Sequence, residues 1–379
     1  YTEVEAAQGA RMIELGERLG AALGPVLMAA TVLGLPAVLL GGATGALNAG
    51  QLGVVRDWLL ANPALITNPA FVEAVRATTM GIDDAVSTGN GMPPDLMERL
   101  AATHGFEGVE VGAALLIGTA GLAGLFRETP VDVRRSAAMP LERGPLGAAE
   151  RLARVPENDQ LRIERYEAPG MPPRYIVYVG PTETFSPRAV AEPWDLTSNV
   201  AGVAGLSPGS ERAAVAAMRD VGISARDEVQ FVGFSQGGLI ATRLAASGEW
   251  NAVGLETYGA PAGGIELPSG LAGMAVRNTD DFIPALGGPQ RDHHLLQVER
   301  RAFAPGSPIP DELPAPAHQR SAYVATAAAI DRAQSAAVRD QIVAMDAFAR
   351  DYTDREGARA TVFTYRGERV PVSAGGTIR

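Results

Sequence analysis

The chain of 379 residues contains no cysteine. A disulfide framework, a thiolate nucleophile and a zinc site with Cys ligands are therefore excluded. Positive charge is also scarce, because 32 Lys and Arg stand against 43 Asp and Glu, a net charge of −11. Binding to nucleic acids requires clustered basic residues, so no nucleic-acid partner is expected. Anionic lipid surfaces attract basic residues, so no electrostatic attraction to membranes is expected either. With 46% hydrophobic and 20% charged residues, the composition favours a large folded core.

Charged residues are absent from two long stretches in the first third of the chain, 19–55 and 111–126. The first is long enough to cross a bilayer, whereas the second, at 16 residues, is marginal. Pro25 and Pro36 interrupt the first stretch. Two readings stay open: helices that contact a membrane, or helices buried against the rest of the protein. We expect an apolar, all-α N-terminal domain over 1–126, because apolar residues recur there at helical spacing.

The composition changes near residue 150, and the rest of the chain has a different pattern. Residues 127–158 are charged and contain proline, which is typical of a connector. In 159–379, short apolar segments alternate with amphipathic ones, which predicts a mostly parallel sheet with helices on both faces. The candidate strands are residues 161–168, 174–180, 228–234, 251–259, 273–279 and 295–301, and the segment 359–373 is expected to form a terminal hairpin.

The chain begins with Tyr1 rather than Met. We expect a processed or trimmed product, for which a secreted or cell-envelope location is favoured over a cytoplasmic one.

One serine lies in a sequence context that indicates a nucleophile. Ser235 is the centre of Gly233-Phe234-Ser235-Gln236-Gly237, which follows a candidate strand and precedes a candidate helix. A sharp turn between a strand and a helix would lift the hydroxyl above the carboxyl edge of the sheet. The helix would aim its first N–H groups at the same point, so the N–H of Gln236 is a candidate oxyanion donor.

A serine nucleophile needs a base, and the chain has only four histidines. His318 follows the last candidate strand of the parallel sheet, so it is expected at the same edge as Ser235. His293 and His294 begin that strand and are expected at the opposite edge. His104 precedes Gly105 at a predicted helix end, where a structural role is expected. His318 is therefore the candidate base.

The base in turn needs a carboxylate, and two acidic residues end a candidate strand. Asp280 and Asp281 are adjacent, so their side chains point apart and only one is expected to face His318. The chain order Ser, Asp, His is that of one known class of triad. A second oxyanion donor is expected after the strand 174–180. Pro181 has no N–H, so Gly180, Thr182 and Glu183 are the candidates, and the Thr182 hydroxyl could also contribute.

These segments resemble the α/β-hydrolase superfamily, above all the class 3 lipases and related actinobacterial serine hydrolases. "FVGFSQGGLIA" is similar to their nucleophile segment, and "TYGAPAGG" to the segment after the next strand. In "NTDDFIPAL" the acid of the family precedes an apolar-apolar-Pro run, so the resemblance implies Asp281 as the acid, with Asp280 as the fallback. "YIVYVGPTETFSP" and "PWDLTSNV" resemble the oxyanion strand and the loop after it, and His318 with Tyr323 matches the histidine segment.

The resemblance covers about residues 160–350, and it departs from the family at two points. Phe234-Ser235-Gln236 replaces the His-Ser-Leu that is common in class 3 lipases. Gly180-Pro181-Thr182 inverts the order Pro-Gly-Thr of the relatives. The resemblance implies an α/β-hydrolase-type sheet and a triad of Ser235, Asp281 and His318.

The function implied is hydrolysis of small-molecule or lipid carboxylic esters through an acyl-enzyme, without a metal or an organic cofactor. Two alternatives stay open. The same triad could transfer the acyl group to an alcohol other than water. Alternatively, the N-terminal helices could be the working part, inserting into a membrane or binding a partner through 19–55 and 111–126. The hydrolase-like domain would then be a scaffold, or a toxin-like lipase that the helices deliver.

Overall fold

A computed structural model describes residues 56–80, 109–121, 125–186, 188–291 and 294–370. The uncharged stretch 19–55, His104 and His293 lie outside the described residues, and so does 122–124 of the second uncharged stretch. Within the described part, no helix is long and apolar enough to cross a membrane.

The described part is built around one sheet of eight strands, in the spatial order β1-β8-β2-β3-β4-β5-β6-β7. Strands β3 to β7 are parallel to one another, whereas β1, β8 and β2 form an antiparallel edge, of which β2 pairs antiparallel with β3. The strands are β1 Val131–Pro140, β2 Leu161–Glu167, β3 Arg174–Val179, β4 Glu228–Phe234, β5 Asn251–Tyr258, β6 Ala272–Asn278, β7 Leu296–Arg300 and β8 Arg359–Arg369.

Helices cover both faces of this sheet, each over its own hydrophobic core. On one face, α6 and α7 pack on the sheet, for example through Met218 and Ile240 against Phe231. On the other face α4, α8 and α9 contribute residues such as Leu152 and Phe348. The expected α/β class is thus confirmed. The helices are α1 Pro63–Ile66, α2 Pro69–Met80, α3 Val109–Gly121, α4 Gly147–Arg154, α5 Leu196–Val203, α6 Gly209–Val221, α7 Gln236–Ala246, α8 Arg320–Ile330 and α9 Ala336–Thr353.

The segment 127–158 differs from the expected connector, since it carries β1 and α4. Strand β1 pairs with β8 at the sheet edge, where most of its side chains are exposed, so its composition looks like that of a linker. Helix α4 buries Arg151 completely, and its guanidinium lies 2.9 Å from the buried carboxylate of Glu256. Because Arg151 is charged, a hydropathy pattern does not indicate that it lies in the core, where its charge is paired with that of Glu256.

The end of the described chain also departs from its sequence pattern. Residues 359–373 were expected to form a terminal hairpin, but β8 is a single strand inserted between β1 and β2. Its partners come from much earlier in the chain, so no local turn signal could indicate them.

The described N-terminal helices pack against the carboxyl edge of the parallel strands. Phe71 and Val75 of α2 contact Phe282 and Ala285 in the loop after β6. Helix α3 begins beside Gly288, which Val109 contacts, and it reaches α5 through Ile117. Since α5 follows β3 and the Gly288 loop follows β6, α3 crosses the edge at which β4 and β5 end.

Candidate active site

Ser235 lies in a sharp turn between β4 and α7. Its backbone angles are φ 55° and ψ −123°, a positive-φ conformation that a residue with a Cβ rarely adopts. The turn is held by a hydrogen bond from the N–H of Ser235 to the carbonyl of Tyr258, with 2.8 Å between N and O. Backbone strain of this kind costs of order 1–3 kcal/mol and concentrates at functional sites.

The two glycines of the motif are required because backbone passes close to their Cα atoms. A Cβ on Gly233 would lie 2.2 Å from the carbonyl oxygen of Gly237. A Cβ on Gly237 would lie 2.0 Å from the carbonyl oxygen of Val179 in β3. Since a peptide group cannot move aside as a flexible side chain can, the turn excludes any larger residue at both positions.

We expect Gly237→Ala to lower the free energy of unfolding by about 3 kcal/mol, the upper end of the usual cost of overpacking. Denaturant titration measures the loss. Gly118→Ala in α3 is the matched control, because nothing lies within 4 Å of the added methyl group there. It should be neutral or slightly stabilising, since Ala favours a helix. A Gly237→Ala protein as stable as the unmodified one would contradict the close approach.

His318 is brought to Ser235 from 83 residues further along the chain. It ends a short 3-10 helix, Pro316–His318, in the loop between β7 and α8. Its Nε2 lies 2.8 Å from the Ser235 Oγ, and its Nδ1 lies 2.6 Å from the Asp281 Oδ2. The Asp281 side chain is fully buried and that of His318 is 14% exposed. The three side chains thus form one continuous chain of hydrogen bonds.

The structure distinguishes the two adjacent acids that the sequence left as alternatives. Asp281 faces His318, and its other oxygen, Oδ1, accepts a hydrogen bond of 2.9 Å from the N–H of Ile283. Asp280 points away, and its carboxylate accepts hydrogen bonds from the N–H groups of Ala302 and Phe303 at 2.8 and 2.9 Å. Both oxygens of Asp280 are therefore occupied in holding the loop after β7.

The candidate oxyanion donors differ in whether their N–H groups are free. Gln236 is the first residue of α7, so its N–H has no partner within the helix. The N–H of Gly180 donates to the carbonyl of Gln160 at 2.9 Å, and that of Glu183 donates to the carbonyl of Trp194 at 2.8 Å. The N–H groups of Gly180 and Glu183 are therefore already engaged within the protein.

Thr182 remains as the candidate of this loop. Its N–H makes no hydrogen bond within the described part of the chain. Its hydroxyl accepts a hydrogen bond of 2.9 Å from the side-chain amide of Asn199, which leaves the hydroxyl proton available.

The loop that carries Thr182 is held by Asp195 and Arg369, two residues for which the sequence predicted no role. Asp195 caps α5 by accepting a hydrogen bond of 2.8 Å from the N–H of Ser198, and it pairs with the almost fully buried Arg369 at 3.0 Å. The side-chain amide of Gln236 donates to the carbonyl of Asp195 at 3.0 Å. The loop and the start of α7 are therefore tied together. Asp195 before a helical segment is an N-cap signal, but its pairing with Arg369 joins residues 174 positions apart.

A second set of ion pairs, made by a residue of β8, holds the same loop. Arg366 lies 3.0 Å from Glu183 and 3.3 Å from Glu192. Burial and the hydrogen bond with Glu183 raise the pKa of Glu192 to about 7. The Arg366 guanidinium donates to both carboxyl groups and so holds the two acids beside each other.

Two aromatic rings enclose the imidazole. The ring of Phe234 stacks on that of His318, with centroids 5.4 Å apart and planes at 24°. The ring of Tyr323 meets His318 edge-on at 6.1 Å. Phe234 thus packs on the imidazole directly. Another histidine, His294, precedes β7 and therefore lies at the opposite edge of the sheet from Ser235, as expected.

Within the described residues, no group of three or more His, Asp or Glu side chains is arranged to hold a metal ion. The assembled features are a strained serine, an imidazole and a buried carboxylate in hydrogen-bond contact, with two free backbone N–H groups on the flanking segments. Comparison with protein-family models, with curated proteins and with solved structures found no match to this chain.

Proposed function

We propose that the protein is a serine hydrolase of the α/β-hydrolase type that cleaves carboxylic esters through an acyl-enzyme. The observation that carries the proposal is the hydrogen-bonded series of Ser235, His318 and Asp281, with contacts of 2.8 and 2.6 Å, at the carboxyl edge of the sheet. A serine hydroxyl is a weak nucleophile alone, and this arrangement supplies both the base and the group that orients the base.

In the proposed reaction, the Ser235 Oγ attacks the ester carbonyl carbon while its proton passes to the His318 Nε2. The carbonyl oxygen becomes an oxyanion, to which the N–H groups of Gln236 and Thr182 donate. Asp281 stabilises the imidazolium. When the ester C–O bond breaks, His318 gives its proton to the departing alkoxide. Water then attacks the acyl-enzyme and loses a proton to His318, which gives it to the departing Ser235 Oγ, so that the carboxylic acid is released and the free serine hydroxyl is restored.

A lipophilic acyl group fits the surroundings of the site. Helix α3 crosses the carboxyl edge, and Glu110 is the only charged residue in its thirteen. Phe71 and Val75 of α2 pack on the loop that carries Asp281. An ester with a hydrocarbon chain would bury that chain against such helices. Acyl transfer to another alcohol uses the same groups, and hydrolysis is the proposal because it needs no second substrate site.

The proposal that the N-terminal half inserts into a membrane or binds a partner stays a prediction. It was made for residues 19–55, which lie outside the described residues, and for 111–126, most of which belongs to α3. In the described part, α3 packs on α5, and α2 packs on the loop after β6. These contacts support a packed position for the two helices.

Labelling with a fluorophosphonate tests the nucleophile. We expect one label per chain, attached to the peptide that contains Ser235, because Oγ attack on phosphorus needs the same base as attack on an ester. Ser235→Ala is the control and should remain unlabelled while keeping its circular dichroism and melting temperature. Labelling of the alanine variant, or of a different residue in the unmodified protein, would refute the assignment.

A series of p-nitrophenyl esters of increasing chain length, run on the same two proteins, tests the substrate class. Burial of a methylene group contributes about 0.8 kcal/mol, so each added carbon is expected to raise kcat/KM by up to about 4-fold until the site is filled. A rate that falls steadily from acetate onward would exclude a lipophilic acyl site.

A further inference from the structure

Tyr323 makes a contact with the acid of the site that the proposed reaction does not use. Its side chain is fully buried in the first turn of α8, and its hydroxyl lies 2.8 Å from the Asp281 Oδ2. That oxygen is the one that His318 Nδ1 contacts at 2.6 Å. One carboxylate oxygen therefore serves two partners, the imidazole and the phenol.

The direction of the phenol's hydrogen bond follows from its second neighbour. The backbone N–H of Asn278 lies 3.2 Å from the Tyr323 oxygen, and an N–H can only donate. The hydroxyl therefore accepts from Asn278 and has a single proton left, which it donates to Asp281. Burial and the adjacent Asp281 carboxylate raise the pKa of Tyr323 well above its usual range. The phenol thus remains a neutral donor throughout the pH range of ordinary assays.

Donation to the Asp281 Oδ2 has two physical consequences. It offsets part of the charge that would otherwise act on the imidazole, and with the N–H of Ile283 on Oδ1 it fixes the carboxylate plane. We propose that Tyr323 is a positioning residue that sets the basicity of His318 by sharing the negative charge of Asp281. The inference rests on the proposed function, since it assigns a role within the same triad.

When the hydroxyl is removed, the backbone N–H of Asn278 loses its acceptor, but the side-chain contacts of Asn278 still hold the loop of His318. The side-chain amide of Asn278 donates to the carbonyl of Ala317 at 2.9 Å, and Thr326 donates to the Asn278 side-chain oxygen at 2.8 Å. The Tyr323 ring packs on those of Phe234 and Tyr258. Phenylalanine keeps these ring contacts and lacks only the oxygen.

The test is the pH profile of kcat/KM for ester hydrolysis by Tyr323→Phe. Without the phenol, the carboxylate attracts the imidazolium more strongly, so His318 holds its proton to higher pH. We expect the midpoint of the acid limb to rise by about 0.5 pH unit, with KM unchanged. Tyr352→Phe is the control, because Tyr352 is also a buried tyrosine but donates to the carbonyl of Pro172, away from the site. Its profile should match that of the unmodified protein.

A second measurement keeps the Tyr323 hydroxyl in place. Uniform replacement of tyrosine by 3-fluorotyrosine makes every phenol a stronger donor, so the acid limb should move to lower pH. Among the tyrosines of the described residues, only Tyr323 donates a hydrogen bond to the triad, so the shift reports on this hydroxyl. In a folded Tyr323→Phe protein, the fluorotyrosine shift should disappear.

An acid limb that is unchanged in Tyr323→Phe, or that moves to lower pH, would overturn the positioning role, as would a fluorotyrosine protein with an unshifted profile. If Ser235→Ala is inactive and unlabelled while these profiles do not move, the role of Tyr323 fails and the proposed function stands. If Ser235→Ala hydrolyses the ester at the unmodified rate, both fail.

Discussion

Asp281→Asn is expected to lower kcat for ester hydrolysis by about 10⁴-fold, the loss seen when a triad acid is replaced by its amide. The reason lies in the partners of each carboxylate oxygen. Oδ1 accepts from the N–H of Ile283, whereas Oδ2 accepts from the Tyr323 hydroxyl and contacts the His318 Nδ1. The single oxygen of an amide cannot serve both sides. With its NH₂ group towards His318, the amide holds the imidazole with its proton on Nε2, where it can no longer take the proton of Ser235, and in either orientation the neutral amide no longer stabilises the imidazolium.

The adjacent acid provides the matched control. Asp280→Asn changes the same chemical group one residue away, in a side chain that bonds to the N–H groups of Ala302 and Phe303. One of these N–H groups would meet an NH₂ instead of an oxygen, so stability should fall by about 1–2 kcal/mol, the cost of an unsatisfied buried donor. The kcat value should stay within about twofold of the unmodified protein, since no reacting group is altered.

Kinetics of both variants with one p-nitrophenyl ester, together with denaturant titration, separate the two effects. A loss of activity in Asp280→Asn that equals that in Asp281→Asn would show that the loop after β6, and not one carboxylate, controls the rate. A normal kcat in Asp281→Asn would remove the acid from the proposed mechanism.

The sequence contained enough information to predict where the serine and histidine lie. In a parallel sheet, the residues that follow each strand share an edge, so Ser235 after β4 and His318 after β7 were expected on the same side. Buried parallel strands such as β3 and β4 read as continuous apolar runs, so the class of fold could be predicted from their pattern.

The choice between alternatives depended on residues that are remote in the chain. Asp280 is turned away by backbone N–H groups at 302 and 303, and Gly180 is engaged by the carbonyl of Gln160. Backbone partners leave no mark in residue identity, so no pattern could rank these candidates. The charged residues of β1 and α4 led to the wrong prediction of a connector for a different reason. Strand β1 lies at an exposed edge of the sheet, and Arg151 of α4 is buried with its counter-charge.

His318→Ala and Ser235→Ala are each expected to lower kcat on the order of 10⁶-fold, and the double variant should lose hardly more than either single one. The non-additivity follows from the geometry. The Ser235 Oγ lies 2.8 Å from the His318 Nε2, so the hydroxyl becomes a nucleophile only by giving its proton to that nitrogen. Once either partner is absent, the other has no step left to perform, so its removal does not lower kcat further.

The rate that remains in all three variants should be equal and still above that of the ester in buffer, because the N–H groups of Gln236 and Thr182 continue to stabilise the oxyanion for attack by water. Single-turnover kinetics with a p-nitrophenyl ester measure the four rates of the cycle. A double variant whose loss equals the product of the single losses would mean that the two residues act independently. The 2.8 Å contact between them would then be a structural hydrogen bond, and another group would have to accept the proton of Ser235.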